Sequence, residues 1–199
     1  MVNSLKQIKY TVVVEALKGE VACGDKYLVK ESNDFTLIAV IDGLGHGEDA
    51  AIAADVAVKT IDANASESID KIIKICDEAL LLTRGAAITI VKFHKYKMTY
   101  KAIGNVSGVY WHIGERAKLK SQSFFLENGI VGNQLPLLLP IKEIELGVGD
   151  TLILATDGIR KEFENLIPKW SSVDRIANEI FSTYQNPKDD GLILVAQLL

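Results

Sequence analysis

Aspartates flank four of the apolar segments in this sequence, and several of them stand beside a glycine. They are Asp25, Asp42, Asp157 and the adjacent pair Asp189 and Asp190. A carboxylate at the rim of a folded core is costly to desolvate unless a partner compensates its charge. Several carboxylates can share hard divalent cations, because ligand sets made of oxygen atoms suit Mg²⁺ or Mn²⁺. A glycine after Asp42 lets the backbone come close, so the Gly43 carbonyl is a further candidate ligand.

Two other interpretations of the segment around Asp42 compete with a metal site. Aspartate followed by glycine is an ordinary turn signal. Residues 43–47 (GLGHG) also lie between a strand pattern and a helix pattern, as a dinucleotide-binding loop does. That fingerprint requires G-x-G-x-x-G, whereas Glu48 stands at its last glycine position, and Asp42 would repel a pyrophosphate. The nucleotide interpretation is therefore disfavoured, while the turn and the metal site both stay open.

The elements that must position these acids follow from hydrophobic patterning. Near-continuous apolar runs predict buried strands at 35–41 and 151–155. Apolar residues at helical spacing predict helices over 48–63, about 67–82 and about 172–184. Most strands are linked by short turns, which favours antiparallel pairing. We therefore expect an α+β fold, an α-β-β-α sandwich of two antiparallel sheets flanked by helices.

Polar residues mark the ends of several of these elements. Ser66 or Ser68 is the expected cap of the second helix, and Ser171 or Ser172 that of the third. The segment 147–150 (GVGD) is a predicted tight turn between a strand at 141–146 and the strand that starts at Thr151.

Length and composition narrow the function classes. The chain has 199 residues, a length that suits one domain over residues 1–199. Its net charge is −4, and its sequence lacks the basic block of a nucleic-acid binder. No apolar run reaches the ~18 residues of a membrane helix, and lysines interrupt the first ten residues, unlike a signal peptide. Cys23 and Cys76 form no metal-binding or disulfide pattern. We expect a cytoplasmic protein with no nucleic acid and no membrane partner.

The acidic motifs, taken together and in order, resemble those of the PPM family of metal-dependent serine/threonine protein phosphatases, in its bacterial SpoIIE/RsbX-type branch. The motifs are Gly24-Asp25, residues 42–47 (DGLGHG), Thr156-Asp157-Gly158 and Asp189-Asp190. Residues 84–87 (RGAA) and 104–106 (GNV) add to the resemblance. The family resemblance implies the same sandwich of antiparallel sheets, and the small size is similar to that of the stand-alone phosphatases of the stressosome.

The resemblance also implies a centre of two Mn²⁺ or Mg²⁺ ions. Asp42 is then the carboxylate that bridges both ions, and the Gly43 carbonyl binds one of them. Asp157 and Asp189 bind the second ion and complete the catalytic set. Asp25 matches an early acidic position that binds directly or through water. Such a centre activates water for direct attack on phosphorus, so no phosphoenzyme is needed.

Two further residues are implied neighbours of this centre. Asp190 would orient water or phosphate. Leu44 occupies the position of the general acid in eukaryotic members, and His46 lies two residues further on. Histidine ordinarily titrates near neutral pH, which makes His46 a candidate proton donor. The simpler alternative is that His46 is an exposed or helix-capping residue.

The resemblance implies a function in bacterial stress signalling. The expected reaction is metal-dependent hydrolysis of phosphoserine or phosphothreonine on STAS-domain proteins of RsbS or RsbR type, which resets the pathway. Two alternatives remain: a PPM-type phosphatase of another anti-anti-sigma factor, and an inactive homologue that only binds a phosphoprotein. The chain is expected to work as a monomer.

Overall fold

The computed structural model describes residues 8–113, 119–137, 140–165 and 172–199, and over these residues the chain forms ten β-strands and three α-helices. A 3₁₀ helix at Lys161–Asn165 precedes the last α-helix. The elements in chain order are β1 Ile8–Glu15, β2 Asp25–Glu31, β3 Thr36–Gly43, α1 Glu48–Ala63, α2 Ile69–Leu80, β4 Ala86–His94, β5 Lys97–Ile103, β6 Ser107–Ile113, β7 Leu119–Ser123, β8 Lys142–Glu145, β9 Thr151–Ala155, α3 Val173–Tyr184 and β10 Gly191–Leu198.

The strands form two five-stranded sheets, in which every named pairing is antiparallel. Sheet 1 has the order β1-β10-β9-β6-β7, and sheet 2 has the order β2-β3-β4-β5-β8. The inner faces pack through apolar residues such as Val40, Met98, Leu154 and Leu194. The helices α1 and α2 cover the outer face of sheet 2, and α3 covers that of sheet 1. The predicted α-β-β-α sandwich is confirmed.

Alanines let α1 approach sheet 2 closely. Four alanines of this helix are fully buried on its inner face: Ala50, Ala53, Ala54 and Ala57. The approach is so close that a Cβ atom on Gly43 would lie 2.1 Å from the carbonyl oxygen of Ala50. Glycine at this position is therefore a packing requirement at the junction of β3 and α1.

The helix boundaries follow the predicted capping signals. Helix α1 spans the predicted residues 48–63. The side chain of Ser68 accepts a hydrogen bond from the backbone N–H of Lys71, and Ser172 accepts one from that of Arg175. The alternative cap Ser171 lies outside the described residues. None of the helices in the described ranges combines the length and apolar character needed to cross a membrane.

The strands on either side of the predicted tight turn at 147–150 do not pair with each other. The turn itself is present, with the N–H of Asp150 donating to the carbonyl of Gly147 at 3.1 Å. However, β8 pairs with β5 in sheet 2, and β9 pairs with β10 and β6 in sheet 1. The turn therefore connects the two sheets, because the apolar face of each strand is buried against different neighbours.

Candidate active site

Strands β2 and β3 place two of the predicted acids beside each other. In the antiparallel register, Asp25 at the start of β2 lies opposite Asp42 near the end of β3. Directly opposed residues in such a pair project on the same face of the sheet. Asp25 is only 4% exposed. Two carboxylates thus share one edge of sheet 2.

Strands β9 and β10 bring the other acids to the corresponding edge of sheet 1. Asp157 follows the end of β9 and Asp189 precedes the start of β10, and these two strands are paired neighbours. A Cβ atom on Gly158 would lie 1.7 Å from the carbonyl oxygen of Asp190, so the two segments pass at backbone contact. The glycine after Asp157 therefore permits this close approach.

Hydrogen bonds fasten the two sheets together at this edge. Thr156 Oγ1 donates to Asp25 Oδ2 at 2.7 Å. The buried carboxylate of Asp190 accepts the backbone N–H of Leu17 on one oxygen and that of Gly24 on the other, each at 2.7 Å. Acids that are distant in sequence are therefore held in one cluster by contacts between the sheets.

The carboxylates of this cluster raise one another's pKa values. Burial, followed by repulsion from Asp190, Asp157 and Asp189, raises the pKa of Asp25 to about 7 even though Thr156 donates a hydrogen bond to it. Burial, followed by repulsion from Asp25, Asp157 and Asp189, raises the pKa of Asp42 to about 9. Burial and Asp157 likewise raise the pKa of Asp189. This concentration of negative charge favours a bound cation.

The structure adds two residues that the sequence analysis did not assign to the site. Asn105, in the turn between β5 and β6, donates from Nδ2 to Asp157 Oδ2 at 2.6 Å. A side-chain hydrogen bond from Asn105 also lowers the pKa of Asp42. Thr156 is the second addition, through its bond to Asp25. The sequence signals for both were short motifs, 104–106 and 156–158, to which no side-chain role was attached.

His46 and Gly43 occupy the loop that joins β3 to α1. His46 is exposed, and its Nδ1 lies 2.8 Å from Glu20 Oε1. The N-cap of α1 is Gly47, without a side-chain capping bond. His46 is therefore exposed, as one of the alternatives predicted, but it does not cap the helix. The N–H of Gly43 donates to the carbonyl of Gly24 at 3.1 Å, which places this loop against the Gly24-Asp25 segment.

The donor set fits a hard divalent cation. Within the described ranges, no three histidine, cysteine, aspartate or glutamate side chains converge closely enough to hold an ion by themselves. Mg²⁺ characteristically takes one or two protein carboxylates and keeps several waters, so a closed protein cage is not required. The oxygen-only donors of Asp25, Asp42, Asp157 and Asp189 match that chemistry.

Comparison with known proteins identifies the family. The family model of Stage II sporulation protein E (SpoIIE) matches residues 32–198, which is most of the chain. The chain belongs to the SpoIIE family. The match includes the segment with Asp42 and both late acidic motifs, whereas Asp25 lies just before it.

Individual relatives agree with this assignment. Phosphoserine phosphatase RsbX of Bacillus subtilis (strain 168) is 28% identical over 188 residues, covering 91% of this chain and 90% of that protein. A crystal structure of RsbX in complex with magnesium superposes with a TM-score of 0.86 at 25% identity, covering 100% of this chain and 99% of that one. The predicted family, fold and phosphatase class are thereby confirmed.

A structural neighbour from the bacterial stressosome, a modular system adapted to control secondary messenger signaling, shares the fold. It superposes with a TM-score of 0.85 at 24% identity, covering 96% of this chain and 100% of the neighbour. At that identity, the likeness bears on the fold alone.

Proposed function

We propose that the chain hydrolyses phosphoserine or phosphothreonine on a protein substrate, using two Mg²⁺ or Mn²⁺ ions held at the acidic edge. Asp42, the Gly43 carbonyl, Asp157 and Asp189 would hold these ions, and Asp25 would contribute directly or through water. The observation that carries it is the set of carboxylates from both sheets that repel one another. Such a cluster is compensated best by divalent cations.

The protein's own residues keep the ligands in place. Bound divalent ions would lower the pKa of a coordinated water and neutralise negative charge on the phosphoryl group. Thr156 orients the carboxylate of Asp25, and Asn105 orients that of Asp157. Both oxygens of Asp190 accept backbone N–H groups, which supports a positioning role for this carboxylate. Outer-shell hydrogen bonds of this kind fix ligand geometry and tune affinity.

The proposed substrates are phosphorylated STAS-domain proteins of RsbS or RsbR type, and dephosphorylation would reset a stress-signalling pathway. The support is the similarity to the phosphoserine phosphatase RsbX along 91% of the chain. We further propose that residues 1–199 act as one domain, in the cytoplasm and as a monomer. Loss of phosphate from candidate partners, followed by mass spectrometry, tests the substrate. Sedimentation of the purified chain tests the monomer.

The decisive experiment measures phosphate release with and without metal. The wild-type chain should release phosphate from a phosphoserine protein with Mn²⁺ and stop when EDTA is added. Asp42→Asn should abolish release. Asp34→Asn is the matched control, because Asp34 is exposed in the turn between β2 and β3, at the end of β3 away from Asp42. Binding of the phosphoprotein without any release would instead support the inactive, binding-only alternative.

A further inference from the structure

Arg84 lies against the loop that carries the candidate metal ligands. A Cβ atom on Gly45 would come within 2.8 Å of Arg84 Nη1, and Gly45 has a φ of +90°. The N–H of Leu44 donates to the carbonyl of Gly85 at 3.0 Å, so the residues after Asp42 and those before β4 are joined. The loop backbone at Gly45, three residues after Asp42, thus leaves room for the guanidinium group of Arg84.

One side of this guanidinium is held by helix α1. Arg84 Nη2 donates to Asp49 Oδ2 at 2.6 Å, and the two side chains are 50% and 62% exposed. Ion pairs this exposed contribute little to stability. Asp49 therefore orients the guanidinium group, but another anion can displace Asp49 from it. A phosphoryl dianion competes well for such a group, because guanidinium presents paired donors that match two phosphate oxygens.

We propose that Arg84 is a substrate-binding residue that donates hydrogen bonds to the phosphoryl oxygens of the phosphoserine or phosphothreonine substrate. This inference rests on the proposed phosphatase function. Arg84 would be a fixed positive charge in a site whose other protein ligands are carboxylates and a carbonyl. Arg84 would supply positive charge to the phosphoryl oxygens in addition to that of the bound ions, which would lower the cost of placing a dianion beside the acidic cluster.

The test compares substrate affinity, product affinity and metal affinity in Arg84 variants. Arg84→Ala should raise the KM for a phosphoserine protein, and the inhibition constant for inorganic phosphate, by roughly tenfold to a hundredfold. Arg84→Lys should recover part of both losses, because it keeps the charge but not the paired donors. The Mn²⁺ concentration for half-maximal activity should change less than twofold in either variant. Arg175→Ala, in α3 on the other side of the sandwich, is the matched control.

Asp49→Ala distinguishes substrate binding from a purely structural ion pair. If Arg84 binds phosphate, Asp49→Ala should raise the phosphate inhibition constant by less than about threefold. The inference is overturned if Asp49→Ala raises it as much as Arg84→Ala does, or if Arg84→Ala leaves it within twofold of wild type. Absence of any metal-dependent turnover in the wild-type chain would instead refute the proposed function itself.

Discussion

The two ends of β9 show how one residue type acquires opposite roles. Asp150 stands just before this strand, and Asp157 stands just after it. The carboxylate of Asp150 accepts the N–H of Gly147 at 2.7 Å and a short hydrogen bond from the Tyr110 hydroxyl, and it pairs with His112. At the other end, the neighbours of Asp157 include the carboxylates of further aspartates.

This difference indicates which acids are structural. Burial and the bond to Asp150 raise the pKa of Tyr110, so the phenol stays protonated as a donor. The buried carboxylate at that end is therefore compensated by the protein itself. At the acidic edge, Asp25 and Asp42 are desolvated among like charges, which raises their pKa values and would favour a bound cation. Burial alone does not separate the two ends, since Asp150 and Asp25 are 3% and 4% exposed.

The largest expected effect comes from removing a charge at the acidic edge. Asp157→Asn should lower the kcat/KM for Mn²⁺-dependent phosphate release by on the order of 10²–10³, because the charge that holds a cation is lost. Stability measured by urea unfolding in EDTA should not decrease, since repulsion within the cluster falls. Lower stability together with normal turnover would assign Asp157 to the structural class of Asp150.

The metal-free chain should lose stability as the pH rises. Because the folded-state pKa values of Asp25 and Asp42 are raised to about 7 and about 9, the folded chain holds protons that the unfolded chain releases. This stabilising contribution is complete below about pH 4 and is lost as the pH passes through 7 and 9. In EDTA, the free energy of unfolding should therefore fall continuously between pH 5 and pH 9. Asp42→Asn should flatten that dependence, and an equally steep curve in this variant would contradict it.

A smaller effect is expected from the residue that orients Asp157. Asn105→Ala should raise the Mn²⁺ concentration for half-maximal activity by roughly tenfold to a hundredfold, because a hydrogen bond to a candidate ligand is lost. Asn33→Ala is the matched control, in the exposed turn before β3. An unchanged metal requirement in Asn105→Ala would show that Asn105 does not support the ligand set.

The smallest effect is expected at the opposite end of β9. Asp150→Asn should lower the free energy of unfolding by about 1–2 kcal/mol, because an amide nitrogen would face donors that now meet a carboxylate oxygen. Phosphate release per folded molecule should stay within threefold of wild type. A loss of turnover like that of Asp157→Asn would mean that the two ends are not functionally distinct.

Short-range patterns predicted most elements well. Alanine-rich periodicity predicted the bounds of α1, and a continuous apolar run predicted those of β9. Both patterns involve residues only a few positions apart. The tight turn predicted at 147–150 is present, but local patterns did not show that the strands on either side of it lie in different sheets. A turn signal reports the local backbone, whereas the choice of partner strand depends on which sheet buries each face.

The sequence by itself determined the kinds of donors available, through the aspartates that flank its apolar strands. Their assembly was decided by tertiary structure, since Asp25 and Asp190 meet only when the two sheets pack and Asp190 accepts the N–H of Gly24. Tertiary structure also brought Asn105 and Thr156 to the site and placed Arg84 beside Gly45. Residue chemistry is local, but burial and mutual charge are properties of neighbours that only the folded chain brings together.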